Sequence, residues 1–115
     1  MNEFLLLFRR DFKTPEAQPS PQEMQNAMSH WQNWLGGIAA QNKLVDKGRW
    51  LAREGKVINA DERITDGPFA EIKESLGGYT IIRAGSLEEA TELARNCPVT
   101  LIGGSVEVRQ LVPAN

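Results

Sequence analysis

The sequence predicts a small α+β domain of the ferredoxin-like type, with one antiparallel sheet and two helices on one face of it. Three observations support this fold class. Capping boxes at Ser20 and Ser86 mark two helix starts, apolar strand-like runs lie before, between and after the helices, and the 115 residues suit one domain over 1–115. The elements follow the order strand, helix, strand pair, strand, helix, strand. This is the β-α-β-β-α-β pattern of a ferredoxin-like domain.

The first strand and the first helix have separate signals. Phe4–Phe8 is a continuous apolar run whose length and aromatic ends favour a strand, and both faces of that strand need a cover. Residues 11–21 carry three prolines and predict a loop. Ser20-Pro21-Gln22-Glu23 then predicts a helix start, and the helix runs to about Gln41 or Asn42. Its apolar residues recur at three- and four-residue steps: Met24, Ala27, Met28, Trp31, Leu35 and Ile38.

The middle of the chain predicts a β-hairpin over 43–64 with its turn at 53–56. A second turn is expected at Asp66-Gly67-Pro68-Phe69, one helical turn at 71–75, and a break at Gly77-Gly78. A strand over 79–84 follows. The second helix opens at Ser86 and ends at Cys97-Pro98, and its predicted buried side comprises Leu87, Ala90, Leu93 and Ala94. A last strand covers 105–112.

Composition excludes several classes of function. The net charge is −2 and no basic stripe is visible, so we expect no nucleic-acid partner. One cysteine, Cys97, provides neither a disulfide framework nor a multi-cysteine metal site, and we expect no metal. The glycine pairs do not match a phosphate-binding loop, so no cofactor is expected. No run is long enough to span a bilayer and no leader pattern is visible, so we expect a cytoplasmic protein without membrane contacts.

The predicted sheet leaves one face without helices. Val106 and Val108 alternate with Glu107 and Arg109, and we expect the valines to meet the helices. In the preceding strand, Thr80, Ile82 and Ala84 share one side, and Tyr79, Ile81 and Arg83 share the other. Two such open faces packed together predict a homodimer with a partly polar cavity between the sheets, which suits a small molecule.

Two segments carry a family resemblance. Asp66-Gly67-Pro68-Phe69-Ala70-Glu71-Ile72-Lys73-Glu74 with Gly77-Gly78-Tyr79, and the tail at 103–109, resemble the YCII-related DGPF proteins. The resemblance implies a ferredoxin-like fold that dimerises through its sheets, as in the dimeric α/β barrels. Most members have no assigned reaction. Some relatives are encoded beside, or fused to, extracytoplasmic-function sigma factors, which implies an accessory role in regulation.

More distant YCII-type members are enzymes on small aromatic compounds with a proposed His–Asp pair. His30, the only histidine, lies near their histidine, although Trp31 falls on the equivalent position. Asp66 is the first catalytic candidate, as a general base, and His30 the second, as a proton shuttle. The alternatives, which we favour, are an Asx-type turn for Asp66 and a surface or packing position for His30. Core or interface packing is the favoured interpretation for Trp31 and Trp34.

The expected ligand-binding residues are Glu71, Lys73, Tyr79 and Arg109. Local ion pairs are the alternative for Glu71 and Lys73, and a pair with Glu107 is the alternative for Arg109. Cys97 ends a helix, which disfavours a thiolate nucleophile.

Three hypotheses for function follow. The first is a dimeric binding or accessory module with a small molecule between its sheets. The second is a lyase- or isomerase-type enzyme on a small polar or aromatic compound, using Asp66 and His30. The third is a structural domain without a ligand. We rank the first above the second.

Overall fold

The architecture is a four-stranded antiparallel sheet with two helices. The structure, a computed structural model, describes residues 1–67 and 74–113. Its elements, in chain order, are β1 (Asn2–Asp11), α1 (Pro21–Ala40), β2 (Leu44–Asp46), β3 (Gly55–Ile58), β4 (Ile64–Gly67), β5 (Glu74–Ala84), α2 (Leu87–Arg95) and β6 (Ser105–Gln110). The main sheet has the order β2-β5-β1-β6, and β3 and β4 form a separate two-stranded sheet. The predicted mixed α+β fold of the ferredoxin-like type is confirmed.

The hydrophobic core lies on the helix side of the sheet. Alternate residues of β1 are buried there: Phe4, Leu6 and Phe8 are each at most 1% exposed. They pack with residues of β5, α1 and α2, namely Ile82, Ala84, Trp31, Ile38, Ala90 and Ala94. Small alanines on α2 let this helix approach the sheet closely. The period of two along β1 therefore determines which face the helices cover.

The sheet faces are those that the alternation predicts. Val106 and Val108 pack against the core, whereas Arg109 is exposed. Thr80, Ile82 and Ala84 are completely buried on the helix side. The other side carries half-buried residues from two paired strands, with Leu5 opposite Ile81 and Leu7 opposite Tyr79. This second surface, which we call the open face, has no helix over it among the described residues.

Both helix starts are capped by serine. At α1, the Ser20 hydroxyl accepts from the Glu23 amide at 3.1 Å, and the Glu23 carboxylate accepts from the Ser20 amide at 2.9 Å. At α2, the Ser86 hydroxyl accepts from the Glu89 amide at 3.1 Å. The Glu89 carboxylate instead pairs with Lys43 at 2.8 Å, which ties α2 to the start of β2. Leu87 is 49% exposed, so its predicted burial is wrong, because it occupies the first turn beyond the core.

The predicted hairpin over 43–64 is also wrong. Leu44 pairs with Ile82 of β5 rather than with a neighbouring arm, and Trp50 forms a bridge with Gly78. The true hairpin joins β3 to β4, and its connection runs through 59–63, where Glu62 has a positive φ of 69°. Proximity along the sequence favoured a local hairpin. In the structure, β2 pairs instead with the edge of β5, which lies more than 30 residues later in the chain.

The segment before the third core strand also differs from the prediction. Asp66 and Gly67 end β4 instead of opening a turn, and Glu74 and Ser75 already lie in β5 instead of a helical turn. Residues 68–73, which hold the rest of both predictions, lie outside the described residues. Gly77 and Gly78 do not break the strand, because β5 continues through both of them.

Candidate functional site

A pocket of about 750 Å³ opens at the end of β1, on the helix side of the sheet. We call it the aromatic pocket. Its walls come from the first half of α1, the segment 50–55, the start of β5 and the short 3-10 helix Pro98–Ile102. Four aromatic side chains line it: Phe8, Phe12, Trp31 and Trp50. Met24 and Met28 of α1 add flexible apolar surface to the same wall.

The aromatic rings form one contiguous cluster. Phe8 and Trp31 meet edge to face with centroids 4.8 Å apart, and Trp31 lies 4.8 Å from Trp50. Trp34 continues the cluster behind Trp31 at 5.2 Å and donates its indole N–H to the Leu93 carbonyl at 2.8 Å. Trp34 is thereby held as part of the core, as predicted. Trp50 is 51% exposed, so one part of its ring packs on the cluster and the rest faces the pocket and solvent.

Glycine at two successive positions of β5 makes room for these rings. At Gly78, an added Cβ would lie 2.8 Å from Cε3 of Trp50 and 2.9 Å from the Arg49 carbonyl oxygen. At Gly77, it would lie 3.0 Å from Cζ of Phe12. Gly77 is also the extra residue where the pairing of β1 and β5 shifts, between Phe8–Gly78 and Arg9–Leu76. The Leu51 amide donates to the Gly77 carbonyl at 2.8 Å, which holds the segment 50–55 against the strand.

Two arginines contact one ring at the pocket wall. The guanidinium carbon of Arg10 lies 4.2 Å from the centroid of Phe12, and that of Arg53 lies 4.8 Å from it. Arg10 is only 9% exposed, because it follows Phe4, Leu6 and Phe8 on the buried side of β1. Its Nη1 donates to the Gln18 side-chain oxygen at 3.3 Å. Each arginine gains a cation–π contact, which is stronger where water is excluded.

The environment of Arg10 disfavours its positive charge. Burial lowers the pKa of Arg10, the nearby charge of Arg53 lowers it further, and the carboxylate of Asp11 partly opposes both effects. Such a guanidinium stays protonated at neutral pH, so the protein holds a partly desolvated cation beside an apolar cavity.

The residues predicted from the sequence are not brought together by the described structure. Asp66 lies on β4, is highly exposed, and pairs with Lys56 across the hairpin at 2.5 Å. His30 is exposed on α1 and lines a second cavity of about 660 Å³ between α1 and α2, which we call the helix groove. Asp66 is not among the residues that line either cavity.

The four predicted ligand-binding residues also lie apart from the aromatic pocket where they are described. Tyr79 is half-buried on the open face, and Arg109 is exposed there, with its Nη1 3.2 Å from Glu107. Glu71 and Lys73 lie outside the described residues. In the part of the chain that the structure describes, no group of three or more histidine, cysteine, aspartate or glutamate side chains is placed to hold a metal ion.

Cys97 is buried at the end of α2, and burial raises the pKa of its thiol to about 12. This agrees with the expectation that Cys97 is not a nucleophile.

Within 1–67 and 74–113, no helix has both the length and the apolar character needed to cross a membrane.

Sequence reasoning missed Arg10, Phe12, Trp50 and Arg53 as site residues. One signal was present in the sequence. Arg10 shares one face of the strand with Phe4, Leu6 and Phe8, because alternate residues point to the same side, and so a charged residue lies on the face that packs against the core. Phe12 lies two residues beyond Arg10, whereas Trp50 and Arg53 reach the pocket wall only after the segment 50–55 docks on β5. No local pattern indicates that contact.

Comparison with known proteins places the chain in a family. An uncharacterised protein of Rhizobium meliloti (strain 1021) is 48% identical over 88 residues, covering 64% of this chain and 68% of that protein. The solved structure of 5-chloro-2-hydroxyhydroquinone dehydrochlorinase from Burkholderia phenoliruptrix AC1100, in complex with 2,5-dihydroxybenzoquinone, matches 96% of this chain and 95% of its own with a TM-score of 0.51. Its identity is 19%, so this likeness concerns the fold. The YCII-related domain model matches residues 12–115, and the chain therefore belongs to the YCII-related domain family.

Proposed function

We propose that this protein binds a small planar organic molecule in the aromatic pocket and acts as a homodimer. The observation that carries the proposal is the pocket itself, a concave site of about 750 Å³ whose walls include four aromatic rings. Cavities of several hundred Å³ with mostly apolar walls and a few polar groups are typical of small-molecule sites. Flat rings pack well against tryptophan and phenylalanine, and the methionines can adjust to the shape of a ligand.

The pocket exposes more apolar surface than the core requires. Trp50, Leu51 and Met28 line it and are 51%, 45% and 40% exposed. Covering such a contiguous apolar wall with a ligand removes it from water, which is favourable by about 25 cal/mol per Å². The sequence predicted a cavity between two sheets instead. That cavity requires a second copy of the chain and stays a prediction, whereas the described walls of the aromatic pocket all belong to one chain.

The open face supports the homodimer. Its centre is apolar, with Leu5, Leu7, Tyr79 and Ile81 in adjacent positions on β1 and β5. Charges lie around this centre, including an Arg9–Glu107 pair at 3.7 Å. A second copy placed face to face would cover the apolar strip and leave the charges at the rim, as in other protein interfaces.

The chain carries the features of the DGPF subgroup of its family. Asp66-Gly67-Pro68-Phe69 is the segment that supports this assignment, together with Gly77 and Gly78. Asp66 pairs with Lys56 in the described structure, which supports a structural role for its side chain at the end of the hairpin.

A second candidate function, an enzyme of lyase or isomerase type on a small aromatic compound, is compatible with the fold shared with the dehydrochlorinase. Asp66 and His30 are the catalytic candidates that the sequence predicts for such an enzyme. Neither of the two cavities described above is lined by both residues, so we expect a pair to require contact across a dimer. Replacement Asp66→Asn tests this function: loss of turnover with retained folding supports it, and unchanged turnover removes Asp66 from the mechanism.

Calorimetric titration with naphthalene-2-carboxamide, a neutral planar probe, tests the binding function. We expect measurable binding to the wild-type protein and about fivefold to tenfold weaker binding to Trp50→Ala, because one stacking surface is lost. Leu87→Ala is the matched control, since Leu87 is exposed to a similar degree at 49% and lies on α2 away from the pocket. Absence of binding at millimolar probe, or equal affinities of Trp50→Ala and wild type, would contradict the proposal.

A further inference from the structure

More basic than acidic residues line the aromatic pocket among the residues that the structure describes. Among its described lining residues, the cations are Arg9, Arg10, Lys13 and Arg53, and the acidic residue is Glu54. The whole chain, in contrast, has a net charge of −2. Arg9 has its counter-charge in Glu107 on the open face. A cationic concentration at one cavity of a slightly acidic protein favours a negatively charged ligand there.

Among the basic residues of the pocket, Arg10 is the one that lies buried. Its side chain contacts Phe12 and Gln18, and no carboxylate of the described residues lies within ion-pair distance of it. A buried cation without a paired anion is costly, and the charge of Asp11 offsets only part of the effect of burial and of Arg53 on Arg10. The Gln18 oxygen is a neutral acceptor, and its 3.3 Å contact with Nη1 leaves other guanidinium N–H groups available.

Arg53 supplies a second guanidinium at the same ring. It lies on the segment 50–55, whereas Arg10 and Phe12 belong to the end of β1 and the loop after it. No ion pair of Arg53 exists within the described residues, and its charge lowers the pKa of Arg10. The two like charges contact the same ring, and an anion that reaches both guanidinium groups would offset their mutual repulsion.

We infer that the ligand of this pocket is a planar aromatic carboxylate, with its carboxylate bound by Arg10 and Arg53 and its ring packed against Trp31 and Trp50. This inference rests on the proposed binding function and adds the chemical class of the ligand. A guanidinium presents N–H groups in a planar fork that matches a carboxylate with two parallel hydrogen bonds. The aromatic walls accommodate the apolar remainder of such a molecule, and the cations accommodate its charge.

The test compares naphthalene-2-carboxylate with naphthalene-2-carboxamide, which has the same shape and no charge. Titration calorimetry at pH 7 and constant ionic strength measures both affinities on the wild-type protein. We expect the carboxylate to bind about tenfold to hundredfold more tightly, since hydrogen bonds to charged groups are stronger than neutral ones.

Two variants locate the source of this preference. Arg10→Gln and Arg53→Gln remove the charge and keep a polar side chain, and each is expected to reduce carboxylate affinity about tenfold while carboxamide affinity stays within twofold of wild type. The control Arg95→Gln removes an arginine that pairs with Glu92 on α2, and we expect it to leave both affinities unchanged. Far-ultraviolet circular dichroism confirms that each variant is folded.

Each outcome is decisive. A carboxylate preference lost in Arg10→Gln supports the inference. Equal binding of both probes to the wild-type protein overturns the anion specificity and leaves the proposed binding function intact. A preference that persists in both arginine variants also overturns it, since other groups then recognise the charge. Absence of binding of either probe overturns the binding function and this inference with it.

Discussion

The contact between Gly78 and the segment 49–50 leads to a prediction about stability. In Gly78→Ala, the new methyl would lie 2.8 Å from Cε3 of Trp50 and 2.9 Å from the Arg49 oxygen. Carbon atoms in favourable contact are about 3.5–4.0 Å apart, so both neighbours must move by several tenths of an ångström or more. The Trp50 ring is half exposed and can swing outward. The Arg49 oxygen belongs to the backbone and accepts from the Tyr79 amide at 3.3 Å, so its displacement weakens a hydrogen bond.

The magnitude follows from two opposing contributions. Overpacking of this kind costs about 1–3 kcal/mol. Alanine is more favourable than glycine within a strand by about 0.5–1 kcal/mol. We therefore expect Gly78→Ala to lower the free energy of unfolding by about 1–2 kcal/mol net. Displacement of Trp50 should also weaken binding of planar probes, because the ring forms part of the pocket wall.

The matched control is the same substitution at an exposed helical glycine. At Gly36 in α1, an added Cβ meets nothing within 4 Å. Gly36→Ala should therefore raise the free energy of unfolding by up to about 1 kcal/mol through helix propensity and reduced unfolded-chain entropy. Urea denaturation followed by tryptophan fluorescence, at equal protein concentrations, measures both changes. Shifts in the same direction, or an unchanged midpoint for Gly78→Ala, would refute the reasoning.

Four further predictions test other parts of the molecule. Ser20→Ala should lower the free energy of unfolding by about 1 kcal/mol in urea denaturation, because it removes half of the capping box of α1; a loss below a few tenths would show that the cap is replaceable. Cys97 should react with a disulfide reagent about a thousandfold more slowly in the native protein than after unfolding, because its pKa is raised to about 12 from 9.0; equal rates would contradict its burial. Lys43, chiefly through its hydrogen bond, lowers the pKa of Glu89, so this pair contributes stability above the usual glutamate pKa near 4.5 and loses it as pH falls through the lower folded value. Urea midpoints of wild type and Glu89→Gln should thus differ at neutral pH and converge in acid, with Glu92→Gln as an exposed control; a constant difference across pH would count against the linkage. Ile81→Glu should convert the proposed dimer to a monomer in light scattering, whereas Ile58→Glu, at a 72% exposed position of β3, should not; a persistent dimer in Ile81→Glu would exclude the open face as the interface.

Local signals in the sequence determined much of the fold. The Ser20 capping box needs only neighbouring residues. Both hydrogen bonds that it predicts are present, one accepted by the Ser20 hydroxyl and one accepted by the Glu23 carboxylate. Alternation along β1, β5 and β6 predicted which side chains meet the helices, because successive side chains in a strand point to opposite faces whatever the strand pairs with. The family resemblance also follows from the sequence alone, since its motif residues lie in two short segments of the chain.

Strand partners and the pocket were decided by tertiary structure. Leu44 pairs with β5 rather than within a local hairpin, because register and edge availability depend on residues far along the chain. Arg10 and Arg53 meet at Phe12 only because Gly77 and Gly78 let the segment 50–55 dock on the sheet. Asp66 stood out in the sequence as a chemically active residue in a distinctive motif, yet its side chain lies in solvent beside Lys56. A sequence shows which residues have reactive groups, but burial and neighbours, which require the folded chain, determine which of those groups form a site.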